Sequence, residues 1–453
     1  YTGYLSPDVL KSLPVATTVG NHDADNANYT YHFNTPNSSD LGSNGVVGGD
    51  YYFTYGNTLF MMLNTQDTNA AEHKQFMEQA IAANPNCTWR VVTLHQDIYG
   101  SAEHSNEPEI TNLRYTLVPY FEANDVDVVL TGHDHAYSRT HILEGGHKTV
   151  EYTDDEFDAE LDKDMDAGEN PATRYEAPAN ISADSKEPAD VAYLNYLNAV
   201  MDKDAVEDTE KGETVVNPDG ILYMTANSSS GSKYYDLVPR MQSYIANRWQ
   251  EDVPTYSVID VTDNTFTINT YRTDNDQKID ETFTIKKGVT EDIKSASVGN
   301  VKNQIYTGKQ IQPAIKVTLN GKTLKAGKDY TVTYTDNKNT GLAKATINGI
   351  GKYTGTQTVT FKIVPKKAVL KTVKAGKSGT ATVTIGKAGG KVSGYAIQVS
   401  TDSSFKKVTT YRTAKTTYTL KNLSKGKTYY VRVKAFTKVS DKNVYGAASK
   451  TIK

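Results

Sequence analysis

Short apolar, β-branched runs recur through the first part of the chain. Val15-Ala16-Thr17-Thr18-Val19, ending at Gly20, has the pattern of a buried strand. Tyr51 to Tyr55 and Leu59 to Leu63 flank Gly56-Asn57-Thr58 and predict a hairpin. Phe76, Met77, Ala80 and Ile81 recur at helical spacing within Glu72 to Ala83, and Pro85 ends that helix. Arg90 to Leu94 and Val126 to Leu130 predict further strands, as do Gly220 to Thr225, Tyr256 to Val261, Thr265 to Tyr271 and Glu281 to Ile285. Ser6 followed by Pro7 reads as the start of a helix, with the serine as cap. Strands alternating with helical periods predict one layered α/β unit over residues 1–287.

The pattern changes twice more. Residues 151–215 interrupt the α/β order and hold 20 acidic against 5 basic residues, which predicts a surface insertion: a solvated loop with a helix near Val191 to Met201. From Gly288 onward short alternating strands are separated by Asn320-Gly321, Asp336-Asn337 and Asn348-Gly349, and lysine far outnumbers acid. Two all-β sandwich modules, 288–365 and 366–453, are expected, with Pro365-Lys366-Lys367 as the joint.

Composition adds limits. The net charge of −4 gives no reason to expect nucleic-acid binding. A single cysteine, Cys87, excludes an intrachain disulfide. No run of ~20 apolar residues is present, so no membrane-spanning helix is expected. The chain opens at Tyr1 without the charged start and apolar run of a signal peptide.

Three segments carry chemistry. Gly20-Asn21-His22-Asp23, His95 and Gly132-His133-Asp134-His135 each follow a predicted strand, the position where α/β folds assemble sites. Neutral imidazole with amide or carboxylate oxygen suits Zn, Fe and Mn.

In order, spacing and strand context these segments resemble the metallophosphoesterase family, whose last three signatures are G-N-H-D/E, a single His after a strand, and G-H-x-H. The run His133 to Arg139, with Asp219 to Thr225 and Asn227 to Gly231, resembles the purple-acid-phosphatase branch. The resemblance implies a two-sheet sandwich flanked by helices and two divalent or trivalent metal ions (Fe, Zn or Mn). It implies a reaction in which metal-bound hydroxide attacks phosphorus. Asn21, His95 and His133 would hold one metal and His135 the other. His22 would touch the phosphate, and His104, nine residues after His95, would protonate the leaving oxygen. The family's first two signatures, D-x-G/H and G-D-x-x-Y/D, should precede Asn21, yet the 20 residues ahead of it hold no Gly-Asp pair; the expectation is an N-terminally incomplete catalytic domain.

The C-terminal modules resemble a bacterial immunoglobulin-like repeat (Ile305 to Gly308, Leu324 to Thr331, Gly349 to Gly355) and a fibronectin type III domain, with Tyr429 as its corner tyrosine. The expected activity is hydrolysis of a small phosphoester, a monoester first, by a secreted or cell-surface bacterial protein. Its lysine-rich modules would contact anionic cell-wall polymers. The alternative is a non-catalytic, adhesin-like surface protein that keeps a degenerate or truncated phosphatase domain.

Overall fold

The computed structural model describes residues 1–145, 153–166, 181–182, 184–202, 205–207 and 214–453. Contacts divide the chain into two units, Tyr1–Gly288 and Val289–Lys453.

The N-terminal unit begins with two short helices, α1 (Thr2–Leu5) and α2 (Asn28–His32). Seven strands then build a mixed sheet in the order β1-β2-β3-β4-β7-β5-β8. They are β1 (Tyr51–Tyr55), β2 (Thr58–Met62), β3 (Trp89–Thr93), β4 (Val128–Thr131), β5 (Tyr137–Leu143), β7 (Ile221–Thr225) and β8 (Ile245–Trp249). β2, β3, β4 and β7 run parallel, so four strand ends point the same way. A second, four-stranded sheet has the order β6-β11-β10-β9, from β6 (Thr214–Val216), β9 (Thr255–Val261), β10 (Thr265–Arg272) and β11 (Phe283–Lys286).

The period-2 alternation of each strand sorts its side chains into two cores. Leu59, Met61, Val92, Val129 and Tyr223 face helices α3 (Ala70–Ala83) and α4 (Pro108–Ala123), packing with Phe76, Met77, Leu117 and Phe121. Val91, Val128, Leu222 and Met224 face the second sheet and meet Phe266, Ile268, Phe283 and Ile285. At about 1.5–3 kcal/mol for each large buried side chain, these layers dominate the stability of the unit.

Three local expectations are corrected. Val15 to Val19 is not a strand; it runs without regular structure and Val15 is 41% exposed. Phenols satisfy its backbone where a ladder would have: the Thr17 amide donates to the Tyr51 hydroxyl at 2.9 Å, and Tyr51 and Tyr29 donate to its carbonyl. Pro7, not Ser6, precedes the first helical turn after α1, Asp8–Lys11. The acidic insertion, expected as a solvated loop with a helix near Val191 to Met201, has that helix, α6 (Pro188–Met201), but in its described part packs it against a second, α5 (Asp154–Asp166), rather than leaving a loop. Phe157, Leu161, Tyr196, Leu197 and Val200 give them a core of their own, and Tyr99 donates to Asp202 at 2.7 Å to anchor α6.

In the C-terminal unit, Gln304–Ile305, Thr356–Val364, Gly341–Gly349 and Tyr330–Thr335 form one sheet, and Ser297–Val298, Val317–Leu319 and Lys322–Thr323 another. Asn320 and Gly321 both have positive φ, 48° and 86°, as the two-residue turn between Leu319 and Lys322 requires. Beyond Pro365, sheets of three and four strands enclose Val383, Ile385, Ile397, Val399, Val431 and Val433. The Tyr429 hydroxyl accepts from the Ser424 amide at 2.9 Å, the backward bond of a corner tyrosine.

The two sheets of the N-terminal unit are bolted by one buried carboxylate. Asp280, just before β11, accepts from Arg139 Nε and Nη2 (2.5 and 3.0 Å), from Tyr137 at 2.7 Å, and from Asn247 at 2.6 Å. Asp280→Ala would leave the Arg139 guanidinium buried without its counter-charge. A loss of about 3–5 kcal/mol is expected, read by denaturant unfolding of the N-terminal unit. Asp280→Asn, which keeps one of the two acceptor oxygens, should lose less.

Candidate active site

The parallel strands fix where the candidate residues stand. His95 lies two residues past β3 and His133 two past β4. β3 and β4 pair directly, so both loops leave the sheet side by side. Two backbone bonds close the gap, Leu94 to the Leu130 carbonyl (3.1 Å) and Gly132 to the His95 carbonyl (3.0 Å). Gly20 passes close over the first loop: a Cβ there would sit 3.0 Å from His95 Cε1, tighter than side chains ordinarily pack, so glycine eases the approach of Asn21. His133 has φ +69°, a left-handed conformation that costs a non-glycine residue energy and here turns its ring toward His95.

Three donor atoms converge. His95 Nε2 is 3.0 Å from Asn21 Oδ1 and 3.1 Å from His133 Nδ1. His104 packs edge-on against His133 with centroids 4.8 Å apart, and Tyr235 packs against both His104 and His135. His135 turns elsewhere in this arrangement, with Nδ1 at 2.8 Å from the Lys233 carbonyl. His22 is exposed, and close enough that its charge would bear on both His95 and His133.

A buried acidic pair under His104 went unnoticed in the sequence. Asp134, the variable residue of G-H-x-H, is 1% exposed and accepts from His104 Nδ1 at 2.7 Å. The Ser105 hydroxyl stands 2.8 Å from Asp134 and 2.5 Å from Asp97, which is fully buried. One hydroxyl proton cannot serve two carboxylates, so one of the pair is protonated. Burial, then the neighbouring Asp134, pushes Asp97 well above the usual carboxylate range. Burial would raise Asp134 too, but bonds from His104, Asp97 and Ser105 hold it below that range. The only advance signal was a charged residue between two histidines at the end of a buried strand.

Residues 2–137 match the family Calcineurin-like phosphoesterase, and residues 370–451 match Fibronectin type III domain. The N-terminal unit carries a calcineurin-like phosphoesterase domain. Two uncharacterized proteins of Mycobacterium tuberculosis are each 26% identical over 156 residues, 29% of this chain and 29% of their own length. The chain therefore spans less than a third of the curated relatives it matches. A purple acid phosphatase from yellow lupin (Lupinus luteus) seeds aligns with a TM-score of 0.34 at 14% identity, over 52% of this chain and 32% of that one.

The calcineurin-like family implies divalent metal ions. Among the described residues no group of three or more His, Cys, Asp and Glu side chains is placed to hold one. Asn21, His95 and His133 nevertheless fit one ion. Their spacings of 3.0 and 3.1 Å are near the ~3.0–3.4 Å that separates ligands bound at ~2.0–2.1 Å. Their donors are neutral, as ligation requires: burial and then His133 push His95 down to about 4, and burial and then His104 lower His133.

The lowered His95 value carries a stability consequence. Unfolded, the imidazole takes a proton below about 6.5; folded, it resists until about 4. Metal-free protein should therefore lose stability as pH falls from about 6.5 to about 4, with no contribution from His95 above that window. Allowing for its partial exposure, the loss is on the order of 2 kcal/mol. Denaturant midpoints measured across this window, for wild type and His95→Gln, should diverge at the acid end.

Proposed function

We propose that the protein is a metal-dependent phosphoester hydrolase, acting first on small phosphomonoesters and exported to the bacterial cell surface or beyond. The reading is supported chiefly by the convergence of Asn21 on His95 and His133, which follow two adjacent parallel strands, within a calcineurin-like phosphoesterase domain. These three would hold one ion of Fe, Zn or Mn, and His135 would serve a second. Such ions supply positive charge to the phosphate oxygens as negative charge builds in the transition state. His22, exposed at the rim, would bind the phosphate. His104 would give a proton to the leaving oxygen.

A second reading has an observation of its own. The lack of a ready group of three His, Cys, Asp or Glu ligands among the described residues favours an adhesin-like protein whose phosphatase domain does not turn over. Metal uptake separates the two, because an active site must retain ions through gel filtration.

The C-terminal unit would supply attachment. Residues 289–453 hold 31 Lys and Arg against 6 Asp and Glu, a charge suited to anionic wall polymers. Retention on immobilised poly(glycerol phosphate) should fall steeply between low and physiological salt; retention unchanged by salt would exclude a charge-driven contact.

His133→Ala and His135→Ala should each lose metal and nitrophenyl phosphate hydrolysis together. His22→Ala should keep its metal and turn over about 10²–10³-fold more slowly, the usual cost of one transition-state donor. Metal analysis of the His22→Ala protein decides its role, since loss of metal there would make His22 a ligand.

A further inference from the structure

We propose that Asp134 is a positioning residue for proton transfer: it fixes the ring and tautomer of His104 so that Nε2, not Nδ1, meets the leaving oxygen. The proposal rests on the phosphoesterase reading above and assigns a role to the variable residue of G-H-x-H.

The geometry is specific to this pair. Asp134 takes four hydrogen bonds from two consecutive residues. His104 offers its Nδ1 at 2.7 Å and its amide at 3.2 Å, and Ser105 offers its hydroxyl at 2.8 Å and its amide at 3.2 Å. The helical turn Glu103–Asn106 is thereby pinned onto the loop that carries His133 and His135. His133 and Tyr235 pack edge-on against the His104 ring, with centroids 4.8 and 4.6 Å away and interplanar angles of 62° and 79°. Each Asp134 oxygen already accepts a backbone amide, so the carboxyl meets Nδ1 as an acceptor and Nδ1 carries the hydrogen. Nε2 lies on the opposite side of the ring and becomes the nitrogen that exchanges a proton. Glu107 Oε1 lies 3.9 Å from Nε2.

Proton bookkeeping closes. His104 starts protonated on both nitrogens. Water supplies the new phosphorus–oxygen bond and gives up one proton to solvent, which later restores the imidazolium. The old bond breaks with its electron pair on the leaving oxygen. That oxygen takes the proton from Nε2, while Nδ1 keeps its own against Asp134. The imidazole ends neutral, in the tautomer Asp134 selects.

A clamp that merely joined two loops would make the same bonds, so the test must read more than stability. The first measurement is the nitrogen-15 spectrum of the neutral His104 ring in the wild-type protein, free of substrate. Hydrogen on Nδ1 is expected, and hydrogen on Nε2 would overturn the proposal even if no variant folds. The second is the ratio of turnover on an alkyl phosphate to that on nitrophenyl phosphate, because basic leaving groups need the proton and acidic phenols do not. Asp134→Asn should lower this ratio at least about tenfold, as His104→Ala should, and combining the two should lower it no further. Equal losses on both esters in Asp134→Asn would mark a structural clamp and reject the proposal. A metal-loaded wild type that hydrolyses neither ester would defeat the phosphoesterase reading instead, and the tautomer would then decide alone whether Asp134 sets the His104 ring.

Discussion

The parallel pairing of β3 with β4 is the constraint on which the candidate site depends. Adjacent parallel strands end at the same height, and the bond from the Gly132 amide to the His95 carbonyl holds their exits together. Two histidines 38 positions apart thus come within 3.1 Å without any long-range side-chain contact having to form first. Everything else at the site is built on that coincidence: Gly20 brings Asn21 across the top, and Asp134 reaches below to hold His104. The placement obeys a general rule for open α/β sheets, that ligands meet the carboxyl ends of the strands.

Support for this arrangement is buried and polar. On one side of the large sheet the Asp97–Ser105–Asp134 chain sits under the histidines. Between the sheets, Asp280 gathers Arg139, Tyr137 and Asn247 and so fixes β5, the strand that continues from the His133–His135 loop. A third pair, His73 with Asp50 at 2.8 Å, is fully buried and joins α3 to the residue ahead of β1. Each network satisfies groups that would cost several kcal/mol if buried alone, so each specifies one packing over its neighbours.

Charge is divided between the two units in a way the whole-chain value of −4 conceals. Residues 289–453 account for 31 of the 49 basic residues and only 6 of the 53 acidic ones. Of the acidic remainder, 20 residues lie in the 151–215 insertion, whose described helices bury an apolar core. Charge density of this kind governs what a surface meets, not how it folds.

By itself the sequence determined the layered α/β class, the hairpin at Gly56, the helix ending at Ala83, the strands before His95 and His133, and the fibronectin-like end, because these rest on local periodicity and turn chemistry. Helix α4 was also written there, with Leu113, Leu117 and Phe121 four apart, yet Pro119 within it obscured the period. Tertiary structure alone decided the rest. Val15 to Val19 looks like a strand but finds phenols instead of a ladder, since whether an extended segment pairs depends on the neighbour it meets. Likewise, a histidine after a strand has no partner until the chain folds. That His104 would meet Asp134 rather than water, 30 positions away, is a matter of which two loops the parallel sheet sets side by side.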